Sequence, residues 1–235
     1  MRLEARVAEK SFRTAAGQSA PVIVNLSFAL EEGETGALIG PSGCGKSTLM
    51  RILAGLDRNF DGSVHIPTHG KVGMVFQEPR LLPWRSVEDN VRLAAPHASE
   101  AEVASLFAAL GLSEHRAHFP GELSIGLARR AALARAFAVR PTLLLLDEPF
   151  VSLDAPLARQ LQGDLARLVE SRRMIVVLVT HDVDEAIALA DRIFVLSARP
   201  AHVVGEIRIK NPRAAMSDEE RKAVAGRIEA LRAPG

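Results

Sequence analysis

The stretch Gly40-Pro41-Ser42-Gly43-Cys44-Gly45-Lys46-Ser47-Thr48 has the residue types and spacing to do phosphate chemistry. It fits G-x-x-x-x-G-K-[ST], a loop that cradles polyphosphate. Its glycines let the backbone wrap close to the oxygens, with successive N–H groups pointing inward. A helix starting at the end of the loop adds partial positive charge at the same place. Lys46 is placed to reach the β- and γ-phosphates of a nucleotide, and the Ser47 hydroxyl to sit on Mg²⁺. Two more groups close apolar runs: Asp147-Glu148 after Leu143–Leu146, and His181 after Met174–Thr180. Asp147 is placed to hold Mg²⁺, usually through water. Glu148 is placed to orient or deprotonate an attacking water. Alone, an apolar strand capped by two acids says little; beside the phosphate loop it completes a hydrolytic set.

These groups need elements that aim them at one place. Thr35–Ile39 reads as an apolar strand entering the loop and Leu49–Leu53 as the start of the helix leaving it. Leu143–Leu146 and Met174–Thr180 are continuous apolar runs, as in parallel strands buried on both faces. In such a sheet ligands sit beyond the carboxyl ends of the strands, so the loop, the acids and His181 converge. Residues 2–9 and 22–28 alternate as half-buried antiparallel strands do, with a polar loop from Lys10 to Pro21 between them. Ser63–Ile66 and Val72–Phe76 are short strands. Ser86 reads as an N-cap. From there to about Val139 the pattern is helical and alanine-rich, including 99–110 and 125–138, which predicts a helical insertion. Helices follow over 155–171 and 183–190, strands over 192–197 and 201–210, and a capping box at Ser217-x-x-Glu220 opens a closing helix.

With 235 residues the chain can bury a full core, and 48% hydrophobic and 24% charged residues are ordinary for a globular protein. A net charge of +1 argues against electrostatic binding of nucleic acid. Arg129, Arg130 and Arg135, at helical spacing, read as a solvated or interface face. The single cysteine, Cys44, fits a reducing compartment. Inside the loop it is either a soft spot for thiol reagents or simply a small loop residue. No apolar run approaches the roughly 18 residues of a membrane span, and the N-terminus lacks a signal-peptide core. The expectation is a cytosolic chain whose membrane role comes through partners.

Taken together, the chain resembles the nucleotide-binding subunit of an ATP-binding-cassette transporter along almost its whole length. The resemblance rests on motifs in the family's order: the phosphate loop, Gln77, Leu123-Ser124-x-Gly126, Asp147-Glu148, Ser152-Leu153-Asp154 and His181. It implies an α/β fold: a RecA-like P-loop NTPase core (1–77 and 141–235) with an N-terminal antiparallel β subdomain. A helical subdomain (78–140) is inserted, all within one ATPase domain. It implies ATP and Mg²⁺, with Gly40 through Thr48 on the nucleotide, Phe12 stacked on adenine, and Gln77 touching Mg²⁺ and the attacking water. His181 would hydrogen-bond the γ-phosphate, and Asp154 lie in a loop crossing a dimer interface. Two subunits would pack head to tail, Ser124 and Gly126 of one meeting the γ-phosphate held by the other. ATP would close that dimer and hydrolysis open it. The motion would drive separate membrane permease subunits, served indirectly by a solute-binding protein, from the inner face of the cell membrane.

The family motif Leu-Ser-Gly-Gly-Gln stands here as Leu123-Ser124-Ile125-Gly126-Leu127. Ile125 adds bulk where the motif packs near the opposite nucleotide, and Leu127 removes a polar group that could reach ribose. The expectation is a looser or slower ATP-bound dimer. Phe76 to Trp84, with Glu148-Pro149-Phe150, resembles the nitrate/sulfonate/taurine importer branch. Trp84 and its flanking prolines would then line a groove for a permease helix; packing inside the helical insertion is the other reading. Rivals are another P-loop enzyme such as a kinase or GTPase, a soluble cassette ATPase, and a nucleotide-gated assembly module with impaired hydrolysis. The ordered Ser124 and His181 disfavour the first, and Lys46, Asp147, Glu148 and His181 disfavour the last.

Overall fold

The computed structural model describes residues 2–15, 17–66, 70–151, 153–170, 172–209 and 216–232. In chain order its elements are β1 (Arg2–Arg13), β2 (Ser19–Glu31), β3 (Thr35–Ile39), α1 (Lys46–Leu53), β4 (Asp61–His65) and β5 (Val72–Val75). Then come α2 (Val87–Ala94), α3 (Glu100–Ala109), α4 (Ile125–Ala138), β6 (Leu143–Asp147), α5 (Ala155–Glu170) and β7 (Ile175–Thr180). The last are α6 (Val183–Leu189), β8 (Arg192–Leu196), β9 (Val203–Arg208) and α7 (Asp218–Arg232). They group into two compact units, Met1–Thr68 with Ile175–Gly235, and His69–Met174.

In the first unit, β3 lies parallel between β7 and β8, and β9 joins β8 antiparallel. Every residue of β3 and β7 is buried, as their largely apolar sequences require, with Thr35 and Thr180 the buried polar ends. The α/β character expected of the chain is therefore present. The antiparallel sheet β2-β1-β4 completes this unit. Its first hairpin is longer than the alternation predicted. Strand β1 continues to Arg13 and β2 begins at Ser19, so most of the expected loop 10–21 is paired strand. A bulge between Lys10 and Ser11 shifts the register there. Lys10 is buried because its ammonium pairs with Asp57 (2.8 Å) and donates to the Asn59 carbonyl (2.6 Å). A charge can face inward when its donors are met. The final strand is Val203–Arg208, shorter than 201–210; Lys210 lies outside the described residues. Ser217 and Glu220 form the expected capping box, with the Ser217 N–H donating to Glu220 at 2.8 Å.

In the second unit, β5 and β6 pair in parallel. Around them the chain is helical from Val87 to Ala138, as the alanine-rich pattern predicts, interrupted only by turns. Ser86 caps α2 by accepting from the Asp89 N–H. The buried Asn90 then organises the preceding turn: its Oδ1 accepts from the Leu82 N–H at 2.7 Å, and its Nδ2 donates to the carbonyls of Leu82, Arg85 and Ser86. Arg135 donates to the carbonyls of Pro79 and Arg80 from the other side. So held, the turn presents Trp84 with 70% of its surface exposed, which settles the open alternative against packing inside the insertion.

An ion-pair ring ties the starts of α2 and α3 together: Glu88 and Glu100 each pair with both Arg92 and Arg116. The hydrogen bond from Arg116, followed by that from Arg92, lowers the Glu88 carboxyl from its ordinary 4.5 to about 2. A lowered carboxyl contributes stability above its unfolded value and loses it as pH falls through the folded one. Acid unfolding followed by circular dichroism should therefore show a stability loss between pH 4.5 and about 2 that is smaller in Glu88→Gln.

Candidate active site

The chain leaves β3 at Ile39, turns through residues 40–45 and enters α1 at Lys46. The turn demands glycine where it is tightest. Gly43 has φ 76° and Gly45 φ 128°, and a Cβ on Gly45 would sit 2.9 Å from a Val22 methyl. Those are backbone conformations that L side chains adopt only with strain. Inside the turn, the Lys46 ammonium donates to the carbonyls of Gly40 (2.8 Å) and Pro41 (3.0 Å) and is only 6% exposed. Those two bonds fix the positive end against the backbone of the loop itself. Ser47 is exposed and Thr48 half-buried. Cys44 is buried; burial pushes its thiol up while the Lys46 charge pulls the other way. It serves as the small loop residue rather than as a target for thiol reagents.

His181 follows β7 in the same unit. The Thr180 hydroxyl donates to Glu185 and accepts from the Asp182 N–H, and Asp182 caps the first turn of α6, so His181 is set on a fixed corner. Gly40, Pro41, Ser42 and His181 line one cavity of about 460 Å³. The loop and the histidine, far apart in sequence, are brought together as the parallel strands required. Ser197, His202 and Arg232 share that cavity, and the Arg232 guanidinium donates to the His181 carbonyl at 3.4 Å. No sequence signal singled these out, because their side chains belong to no motif. Phe12 stands near the end of β1, half exposed, with the Lys10 ammonium 4.7 Å from its ring centroid. It is not among the residues lining the cavity.

The second unit carries the other expected groups. Gln77 follows β5 and is exposed. Asp147 ends β6 nearly buried, and Glu148 comes next with φ 46°, a left-handed backbone. Ser124 caps α4 by accepting from the Leu127 N–H at 3.2 Å. Gly126 is buried, and a Cβ there would meet Leu157 at 2.7 Å, so its Cα packs within the unit and only its backbone is left for a ligand. Ile125 stands out from the same turn, 63% exposed. Asp154 accepts from the Leu157 N–H at 2.8 Å, opening α5; Ser152 lies outside the described residues.

The arginines of α4, expected on a solvated or interface face, turn instead onto backbone carbonyls of their own unit. Arg129 is buried and donates to the carbonyls of Glu148 (3.5 Å), Pro149 (2.6 Å) and Val151. Arg130 donates to Leu110 and lies 3.7 Å from Asp164. Helical spacing alone does not reveal that backbone carbonyls converge on a charge.

Among the described residues no three His, Cys, Asp or Glu side chains form a metal cluster. Gln77 and Asp147 in the second unit, and Ser47 in the first, each carry an oxygen donor, the ligand type that Mg²⁺ takes beside phosphates and water. None of the helices, among the described residues, is long and apolar enough to cross a membrane.

Residues 23–151 match the family described as ABC transporter. The chain is 43% identical over 208 residues to aliphatic sulfonates import ATP-binding protein SsuB 2 of Pseudomonas syringae pv. tomato, covering 88% of this chain and 87% of that one. It is 44% identical over 200 residues to the Burkholderia lata protein of the same name, covering 82% and 73%. Among solved structures, it resembles a dimeric ATP-binding cassette in a post-hydrolysis state bound to ADP and Pi. The TM-score is 0.78 at 28% identity, covering 89% of this chain and 99% of that one. Sequence, fold and site geometry lead to one conclusion: the chain belongs to the ABC transporter family.

Proposed function

We propose that this chain is the ATP-binding and ATP-hydrolysing subunit of an importer, and that aliphatic sulfonates are the solutes its partners carry. The observation that carries the reading is the buried Lys46 ammonium bonded to the carbonyls of Gly40 and Pro41, two loop residues that line one cavity with His181. Gly40 through Thr48 bind the triphosphate, with Phe12 stacked on adenine. Ser47, Gln77 and Asp147 would hold Mg²⁺, which neutralises phosphate charge. Glu148 takes the proton of the attacking water, Gln77 orients that water, and His181 donates to the γ-phosphate. Two copies pair head to tail. Ser124, the first-turn amides around Gly126, and Asp154 then complete the neighbour's site.

The solute is assigned by likeness to the named sulfonate relatives, since it touches permeases and not this chain. Trp84 and its fixed turn supply the face toward those permeases; an exposed aromatic on a rigid support suits an anchor. The chain sits on the cytoplasmic side, and a solute-binding protein delivers the cargo. Nucleic acid is not a partner. The test is phosphate release from Mg-ATP by the purified chain, alone and reconstituted with permeases in vesicles, with sulfonate uptake read in the second case. ATP hydrolysis coupled to uptake is expected; uptake at full rate without ATP overturns the reading.

Ile125 sets the tempo of this cycle. Its exposed side chain occupies the surface that the motif offers to a second subunit's nucleotide, so Ile125→Gly should raise hydrolysis. The gain should be about tenfold at most, since about 1.4 kcal/mol of added transition-state contact gives that factor. An ordinary wild-type rate, unchanged in Ile125→Gly, would refute the idea.

A further inference from the structure

We infer that Arg129 is a positioning residue that ties the helix bearing Ser124 to the backbone of Glu148. Helix α4 is alanine-rich, yet its Arg129 is 7% exposed and spends its guanidinium on the carbonyls of Glu148, Pro149 and Val151. A guanidinium can do this because its donors form a rigid planar fork; an ammonium is a point donor on a flexible stem. The segment so gripped is the one that leaves β6 with Glu148 at φ 46°. For a residue other than glycine that conformation is strained and persists only where the surroundings hold it. The direction of the Glu148 side chain follows from that backbone. Arg129 therefore acts on the base without touching substrate. It also joins the surface offered to a second subunit, at the start of α4, to the base that serves this subunit's own nucleotide.

The inference rests on Glu148 being the base, so the experiment includes Glu148→Gln. The full-length chain is compared with Arg129→Gln and Arg129→Lys by phosphate release from Mg-ATP, by titration with a fluorescent ATP analogue, and by thermal unfolding. Arg129→Gln should lower kcat about tenfold or more, the scale set by small misplacements of a reacting group. KM and analogue affinity should stay within about twofold, because the phosphate loop is untouched. Arg129→Lys should recover part of kcat by restoring one charged donor. An unchanged kcat in Arg129→Gln, beside an inactive Glu148→Gln, overturns the inference alone. Affinity falling in step with kcat also overturns it. Undiminished hydrolysis by Glu148→Gln sinks the reading of the base, and this inference with it. If Arg129→Gln does not fold, Arg129→Lys decides: lower kcat at constant KM supports the link, and an unchanged kcat refutes it.

Discussion

Glu148→Gln should hydrolyse ATP about 10²–10⁴ times more slowly than the wild type, the span a positioned base contributes, while still binding it. The substitution keeps the size of the side chain and removes only its capacity to accept a proton. Binding groups in the phosphate loop are untouched. Nucleotide should therefore accumulate unhydrolysed, and with it the closed pair of subunits. Light scattering should show the 25.3 kDa chain doubling in mass when Mg-ATP is added and not when ADP is added. That result would mean the Ser124 turn works across the interface despite Ile125. A variant that binds ATP yet stays monomeric at high concentration would mean the exposed Ile125 has weakened the pairing. The second site would then have to come from permease-enforced proximity or from a related chain with a smaller residue there.

How much of this was legible without coordinates depended on whether the residue types concerned have one physical use. The phosphate loop was legible, because glycines at fixed offsets before Gly45-Lys46-Ser47 are needed for little else, and the left-handed φ values at Gly43 and Gly45 bear that out. The buried parallel strands were legible too, since unbroken Leu and Val runs such as 143–146 and 175–179 cannot face water. The hairpin was not. Lys10, Ser11 and Arg13 look like loop residues, and no pattern in the sequence announces that Lys10 is paired with Asp57, a residue on a later segment. Arg129 escapes a reading of the sequence for the same reason. Its partners are backbone carbonyls of residues about 20 positions away, and a carbonyl has no letter in a sequence. Trp84 is ambiguous in the sequence because prolines around an aromatic look alike whether the turn is packed or presented. Asn90 carried the missing signal: an Asn inside a helix pattern, where it is otherwise disfavoured, marks a side chain bonded to nearby backbone.

Lys46→Met should weaken ATP binding about 10- to 100-fold, the range of one lost charge-assisted hydrogen bond of about 1.5–3 kcal/mol. The substitution keeps the length of the side chain and removes its charge. In the structure that charge is met by the carbonyls of Gly40 and Pro41, so the loop holds it in place before any phosphate oxygen does. Bringing a triphosphate adds an anionic partner to an ammonium already desolvated, which is why the interaction exceeds that of an exposed lysine. The effect should depend on phosphate. Fluorescent ATP and ADP analogues should both lose affinity, ATP more, and a fluorescent adenosine should not change. Combining the two variants separates their steps: Lys46→Met added to Glu148→Gln should abolish the ATP-induced doubling of mass, since in the proposed cycle pairing needs the nucleotide that Lys46 grips. A double variant that still pairs at the same ATP concentration would show that the ammonium does not grip the phosphates. The buried charge would then serve only to brace the turn.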